Sequence, residues 1–320
     1  MTQHDLTVII LAAGAGARMH SAIPKVMHCI AGRPLIAHCI KVAEALAPAR
    51  MCVVTNPAMA EVAAESAPHT IAYQDRAKGT GHAVSCALTT LTDVTDGHVL
   101  VLYGDVPLVQ ADTLNGFVDF HRKGGFGASV LAFVPPSPTG YGRIFQNADG
   151  SLADIVEEKD ASTDQKLVRL CNSGIMVMHM DGLRDVLAGL SPKNAQGEYY
   201  LTDVPKLLQN QGKKCGVIRG EYNELRGVND RSQLAELEMA WQHQTRMHWM
   251  RSGVTMRDPN TVYFHHDTAV GTDVTIGANV ICGPNVIIGD RAYIMPFCYL
   301  ENTVVAPGQI IAPYTNTRTE

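Results

Sequence analysis

Residues 7–28 read TVIILAAGAGARMHSAIPKVMH. The opening, TVIILAAG (7–14), is a short β-branched apolar run that stops at a glycine. That pattern reads as a buried strand running into a tight turn. Beyond it the chain strings together Ala and Gly, then sets Arg18 and Lys25 seven residues apart, with Pro24 fixing the backbone just before the lysine. A loop of small residues lets backbone N–H groups approach a polyphosphate. An arginine forks onto phosphate oxygens and a lysine places a point charge on them. Two familiar nucleotide motifs fail here. The dinucleotide fingerprint G-x-G-x-x-G needs a third glycine where Met19 stands, and an acidic residue after a second strand where MCVVTN (51–56) ends in Asn56. A Walker loop, G-x-x-x-x-G-K-[ST], is absent.

Working outward, PLIAHCIKVAEAL (34–46) and AMAEVAAESA (58–67) have helical spacing, and MCVVTN is a short strand. HVLVLYGD (98–105) is a strongly apolar strand ending at Gly-Asp, and GASVLAFV (127–134) is another. Between them ADTLNGFVDFHRKG (111–124) reads as a helix with Thr or Asp near its cap and Gly at its end. Strands alternating with helices predict an α/β fold with a doubly wound, mostly parallel sheet. In such sheets ligands bind beyond the carboxyl ends of the strands, where Gly14 and Asp105 fall.

The texture changes near residue 230. DRSQLAELEMAWQHQTRMHWM is one long helical pattern with Leu234, Leu237, Trp241 and Met247 on one stripe, read as a linker helix packed on the first domain. Then Val270, Ile276, Cys282, Ile288, Ile294 and Leu300 recur every six residues, often followed by Gly. That is the hexapeptide signature of a parallel β-helix. At roughly eighteen residues per coil, 262–315 supply about three coils. The expected organisation is therefore a nucleotide-binding domain over 1–229, a linker helix over 230–251 and a short β-helix over 252–320.

Bulk properties narrow the function. The chain has 320 residues, of which 46% are apolar and 18% charged, so two domains with real cores are expected. A net charge of −5 argues against nucleic acid or an anionic membrane as partner. No run spans a bilayer, and the amino end has no basic leader, so a cytoplasmic protein is expected. The eight cysteines form no C-x-x-C pair and read as free, mostly buried thiols. His243 and His248 are five apart and His265-His266 is a bare doublet, so no structural zinc site is expected.

LAAGAGARM followed by PK resembles the signature loop of sugar-1-phosphate nucleotidylyltransferases. QDRAKGTGHA (74–83), LYGDVPL (102–108), PTGYGRI (138–144), VEEKDA (156–161), NSGIMV (172–177), NAQGEYYLTD (194–203) and GVNDR (227–231) follow in the order and spacing of one branch. That branch is the uridylyltransferase half of the bacterial bifunctional enzyme that makes UDP-N-acetylglucosamine. The resemblance covers nearly all of 5–315. It implies a Rossmann-like nucleotidyltransferase fold followed by a left-handed β-helix. It also implies Mg²⁺ as cofactor, and transfer of a uridylyl group from UTP to N-acetylglucosamine 1-phosphate.

Carried over position by position, the resemblance puts Leu11, Ala12, Ala13, Gly14, Tyr103 and Gly104 with the nucleotide, and gives Arg18 and Lys25 the catalytic role of neutralising the triphosphate. Gln74, Gly79 and Thr80 match the uracil-reading positions, a side-chain amide being able to offer a donor and an acceptor to a pyrimidine edge. Asp105 and Asn229 match the metal ligands, oxygen donors of the kind Mg²⁺ takes. Gly142, Glu157, Asn172 and Asn229 match the sugar positions, with Tyr199 or Tyr200 expected as walls of a loop over the acetamido group. A sugar phosphate is close to dianionic at neutral pH, its second pKa being ~6, so it needs alignment and charge neutralisation rather than a general base. Two departures stand out: Ala17 replaces the usual Thr, and the family's long β-helix, with its acetyltransferase site, is reduced to three coils, so acetyl transfer is not expected. Full-length relatives are trimers through that domain, and a homotrimer is the expected assembly. Glucose 1-phosphate as acceptor, and a non-catalytic nucleotide-sensing or assembly subunit, are the alternatives.

Overall fold

The computed structural model describes residues 5–318 and divides the chain into two compact units. Among the described residues, one comprises 5–27 and 35–229, the other 28–34 and 230–318. The short hairpin of β2 (Cys29–Ile30) and β3 (Arg33–Pro34) thus groups with the carboxyl-terminal unit.

The first unit is a sheet clad in helices. Its strands are β1 (Leu6–Leu11), β4 (Arg50–Thr55), β5 (Thr70–Tyr73), β6 (His98–Tyr103), β7 (Ala128–Phe133), β8 (Arg143–Gln146), β9 (Leu152–Val156), β10 (Cys171–His179) and β11 (Cys215–Arg219). The main path runs β11-β7-β10-β6-β1-β4-β5. β1 pairs in parallel with β4 and β6, β4 with β5, and β7 with β11. β10 alone on this path runs against its neighbours, β6 and β7. That reversal brings the amino end of β10 to the edge where the parallel strands end. The β8–β9 hairpin hangs beside it, with Cys171 opposite Arg143.

Helices α1 (Leu35–Glu44), α2 (Ala60–Glu65), α3 (Thr80–Thr90), α4 (Ala111–Gly124), α5 (Leu183–Ala188), α6 (Val204–Asn210) and α7 (Tyr222–Leu225) cover the faces. The period of two explains the double layer. Ile9 and Leu11 with Val99 and Val101 enter one buried cluster, while Val8 and Ile10 with Leu100 and Leu102 enter the other. The cap of α4 departs from expectation. Gln110 stands at its start without a side-chain capping bond, its amide donating to the Leu108 carbonyl (2.7 Å), and Gly125, left-handed at φ 58°, closes the helix by donating to the Arg122 and His121 carbonyls.

The second unit is a parallel β-helix with a helix, α8 (Arg231–Arg251), at its head. Its short strands form three parallel sheets, in which Thr275 pairs with Tyr293, Ala269 with Ile287 and Ile281 with Tyr299, each eighteen residues on. The final coil is one residue shorter: Tyr293 pairs with Ile310 and Ile287 with Val304. Its inward row accordingly steps from Leu300 to Val305 and Ile311. Corners at Asp273, Asn279, Asn285, Arg291, Phe297, Asn302 and Tyr314 are left-handed, which favours Asn and Asp there.

α8 differs from its expected stripe. Leu237 is buried, but Leu234 and Met247 are only half-buried, and Gln242 and Arg246 fill the rest of the inner face. Within the second unit, Gln242 bonds both the N–H and the C=O of Phe264 (2.9 and 2.7 Å), and Arg246 donates to the Val262 carbonyl (3.1 Å). The histidine doublet is not bare either. Asp267 lies beside it, bonded to His265 Nδ1 (2.6 Å) and accepting from the Asn285 N–H (3.1 Å), which ties two coils together.

Candidate active site

The carboxyl ends of β1, β5 and β6 open on a cavity of about 420 Å³. β1 supplies Leu11 and the turn Ala12-Ala13-Gly14. The turn is held to the neighbouring strands: Ala12 N–H donates to Val54 O (2.8 Å) and Gly104 N–H to Leu11 O (2.9 Å). A side-chain Cβ on Gly14 would meet nothing within 4 Å. Gly16 is the opposite case. Its φ is +63°, and a Cβ there would sit 2.5 Å from the Lys25 Cβ. The second glycine of the loop therefore lets the lysine stem lie against the backbone.

Lys25 and Asp105 form an ion pair inside the cavity, their side chains mostly buried. Asn229, 124 positions after Asp105 in sequence, lines the same cavity because the Val228 N–H donates to the Asp105 carbonyl (2.9 Å). Arg18 is exposed and outside the cavity lining, but its guanidinium donates to Asn229 Oδ1 at 2.8 Å. Two cations, an acid and an amide from three distant segments thus meet at one place. Asp105 and Asn229 offer oxygen donors a hard divalent cation accepts. The tie between Val228 and Asp105 holds them together without metal, so the set fits such an ion.

At the far wall Gln74 follows β5, and Gly79 and Thr80 start α3. The Gln74 Nε2 lies 3.0 Å from the Gly79 carbonyl and 3.0 Å from His82 Nδ1. Both amide protons are thereby engaged. The amide offers the cavity an acceptor alone, rather than a donor and an acceptor. Gly79 has φ +100°, and a Cβ there would strike the Tyr199 carbonyl at 2.6 Å. The Tyr199 C=O in turn accepts from Gly81 N–H (2.8 Å), and the Leu201 N–H donates to Thr80 Oγ1 (3.1 Å).

Of the expected residues, Leu11, Ala12, Ala13, Gly14, Lys25, Gln74, Gly79, Thr80, Tyr103, Asp105 and Asn229 line this one cavity. Gly104 lies behind it, packed on Ile36. Gly142, Glu157 and Asn172 are outside its lining but form their own group. Asn172 N–H donates to Gly142 O (2.9 Å), and a Cβ on Gly142 would come within 3.4–3.5 Å of the Glu157 carboxyl. Asn172 Oδ1 is occupied by the Gly174 N–H (3.0 Å), so its amide is left to donate. Glu157 accepts from the Thr202 hydroxyl (3.0 Å). Burial lifts its carboxyl above the usual carboxylate range, and the nearby Asp160, Asp203 and Glu198 charges push the same way. The next residue, Glu158, pairs with the buried Arg143 (2.7 Å), fixing the β8–β9 hairpin that carries Glu157.

Neither tyrosine of the 194–203 loop lines the main cavity; Glu198 does. Tyr200 is buried, receives a bond from the Gln196 amide (2.8 Å) and donates to Asp160 (3.3 Å). Residue-level reading also passed over Tyr141, Ser173 and Gly227, which line the cavity. Each lies within two positions of a residue already singled out, in PTGYGRI, NSGIMV and GVNDR, so the motif itself was the available signal.

The chain is similar to known proteins over most of its length. Residues 8–170 match the model of the MobA-like NTP transferase domain. The bifunctional protein GlmU of Paramagnetospirillum magneticum is 43% identical over 320 residues, 99% of this chain and 71% of that protein. Those of Rhizorhabdus wittichii and Rhodospirillum rubrum are 43% and 47% identical, over 86% and 93% of this chain and 61% and 67% of theirs. The chain thus spans about two thirds of the length of these relatives. With a transferase domain matched from the glycine-rich loop through β9, and 43% identity to a relative over 99% of its length, the chain belongs to the GlmU family.

Proposed function

We propose that the chain is an N-acetylglucosamine-1-phosphate uridylyltransferase: UTP and N-acetyl-α-D-glucosamine 1-phosphate give UDP-N-acetylglucosamine and diphosphate. What carries this reading is the convergence of Lys25, Asp105 and Asn229 on one cavity floored by a loop of bare backbone, with the exposed Arg18 bonded to Asn229. A phosphate oxygen of the sugar phosphate attacks the α-phosphorus in line, a new P–O bond forms, and the bond from the α-phosphorus to the bridging oxygen breaks with diphosphate leaving. The Gly14 turn cradles phosphate oxygens with its N–H groups. Lys25 and Arg18 stabilise the charge that gathers on the leaving diphosphate. Gln74 accepts from the base, and Glu157 and Asn172 accept from and donate to the sugar. A divalent ion, for which Mg²⁺ is our assignment, would be held by Asp105 and Asn229 and would neutralise phosphate charge. No nucleophilic side chain is required.

Diphosphate release from UTP and N-acetylglucosamine 1-phosphate tests the reading. Turnover should need Mg²⁺, and Asp105→Ala should lose at least about 100-fold in kcat/KM, the scale of removing one electrostatic stabiliser. Unchanged turnover in that variant refutes the metal assignment. Comparable turnover of glucose 1-phosphate would move the acceptor to that sugar, and UTP binding without turnover on any sugar phosphate would favour the non-catalytic reading.

The assembly belongs to the same proposal. Ile287 and Val304, paired on adjacent coils, are 50% and 72% exposed, an apolar ladder on the outer face of the β-helix. We assign it to a homotrimer, so light scattering should give three times 34.6 kDa. A cytoplasmic setting accords with eight cysteines of which none is disulfide-bonded. Among the described residues, no helix is long and apolar enough to cross a membrane.

A further inference from the structure

We propose that His82 is a positioning residue for base selection: it holds the Gln74 amide so that only the oxygen faces the nucleotide, and so favours uracil over cytosine. The inference rests on the reading of Gln74 as the residue that meets the base.

The orientation of that amide follows from its neighbours. The Gly79 carbonyl can only accept, so the Gln74 atom 3.0 Å from it is the nitrogen. The same nitrogen lies 3.0 Å from His82 Nδ1, which must therefore accept and carry no proton. With both N–H groups spent, Oε1 remains for the cavity. Uracil presents N3–H, a donor that suits this oxygen. Cytosine presents a bare N3, whose lone pair meets it repulsively. A site with a fixed hydrogen-bonding partner discriminates because the wrong ligand leaves that partner unpaired.

His82 is the one member of this chain of bonds that changes role with pH. A proton on Nδ1 turns it into a charged donor facing the amide nitrogen. The amide then gains by turning over, since a charge-assisted bond from His82 to Oε1 outweighs the neutral bond to Gly79. Nitrogen would then face the base, which suits cytosine. The groups around the ring oppose that protonation. His82 is held below its ordinary pKa of 6.5, by burial first and by the Lys78 charge second, against a smaller pull from Asp75. From α3 itself, Cys86 packs its sulfur 3.8 and 3.9 Å from the two ring nitrogens. From the 194–203 loop, the Tyr199 ring lies 6.4 Å away, tilted by 34°. Nothing on this list needs the metal or the phosphates, so the device acts on base choice alone.

The test is the ratio of kcat/KM for UTP over CTP, measured on the full chain with N-acetylglucosamine 1-phosphate between pH 5 and 8. The ratio cancels effects on metal, phosphate and sugar. In the wild type it should be flat above about pH 6.5 and fall as pH drops below that value. His82→Leu removes the acceptor and should lower the ratio about fivefold at pH 7.5, the scale of one net hydrogen bond. His82→Asn keeps an acceptor where Nδ1 was, so it should restore the ratio and abolish its pH dependence. A ratio that ignores pH in the wild type and is unchanged in His82→Leu overturns the proposal while leaving uridylyl transfer intact. Should neither nucleotide turn over, calorimetric binding of UTP and CTP reads the same ratio. Absence of binding by both would overturn this proposal together with the reading beneath it.

Discussion

Two glycines in one loop carry different duties, and their substitution should separate them. Gly14 has open space where a Cβ would go, and its backbone is not left-handed. Gly14→Ala should therefore leave the melting temperature within about a degree, as surface changes of under ~0.5 kcal/mol do. It should nonetheless raise the KM for UTP, because the methyl fills the space the phosphates need. Gly16 is left-handed, and a Cβ would lie 2.5 Å from Lys25. Gly16→Ala should cost about 1–2 kcal/mol from backbone strain alone and displace the lysine, lowering kcat as well. Thermal melts and steady-state kinetics on both variants check this, and equal effects at the two positions would contradict it. At this scale much was legible from sequence. Arg18, Lys25 and Asp105 announced themselves as charges placed beside glycines and at a strand end. The state of the Gln74 amide was not legible, because which of its atoms is spent depends on the Gly79 carbonyl and His82, brought to it by the turn into α3.

Elements were read from sequence more faithfully than their partners. The strands at 7–11, 51–55 and 98–103 and the six-residue repeat of the second unit all lie where apolar periodicity put them. The reversed direction of β10 was hidden, because a strand buried on both faces shows a continuous apolar run whichever way it points. The inner face of α8 was hidden for another reason. Gln242 and Arg246 look like solvated positions, yet Gln242 is 2% exposed and pairs with both backbone groups of Phe264, as another strand would. A stripe drawn through apolar residues alone misses such polar pairing. Gln242→Leu keeps the volume but strands a buried N–H and a buried C=O. It should destabilise the second unit by about 2 kcal/mol or more, since each unsatisfied group costs ~1–3. Urea unfolding of the full chain measures this. A loss under about 0.5 kcal/mol would mean that water replaces the amide.

At the scale of the whole molecule, pH ties stability to two histidines, His98 and His121, at the edge of the sheet opposite the candidate site. His98 opens β6, whose other end leads to Asp105. Its ring meets those of His121 and His179 edge-on, with centroids 5.1 Å away in each case. His121, fully buried at the end of α4, bonds Ser129 through Nδ1 (2.9 Å). Burial, with His98, His179 and Arg122 adding positive charge nearby, pushes His121 down to about 3. His98 is also lowered, by burial and then Arg122, against Asp5 and Asp96. The sign follows directly. Between pH 6.5 and 3 the unfolded chain binds a proton at residue 121 that the folded chain does not, so stability is full above 6.5 and declines as pH falls through that window. Each such histidine contributes up to ~1.4 kcal/mol per pH unit there. His121→Asn keeps a polar atom for Ser129 and removes the proton, so its unfolding free energy should fall less steeply between pH 6.5 and 4.5, by about that slope. An unaltered slope would show that His121 is already protonated in the fold. The same variant also separates two events that share one pH window. Loss of uracil preference belongs to His82 on α3 and should persist in His121→Asn, whereas the weakening of the fold should not. Acid inactivation that merely tracks unfolding would shift in His121→Asn, and a change of base preference in the still-folded enzyme would not.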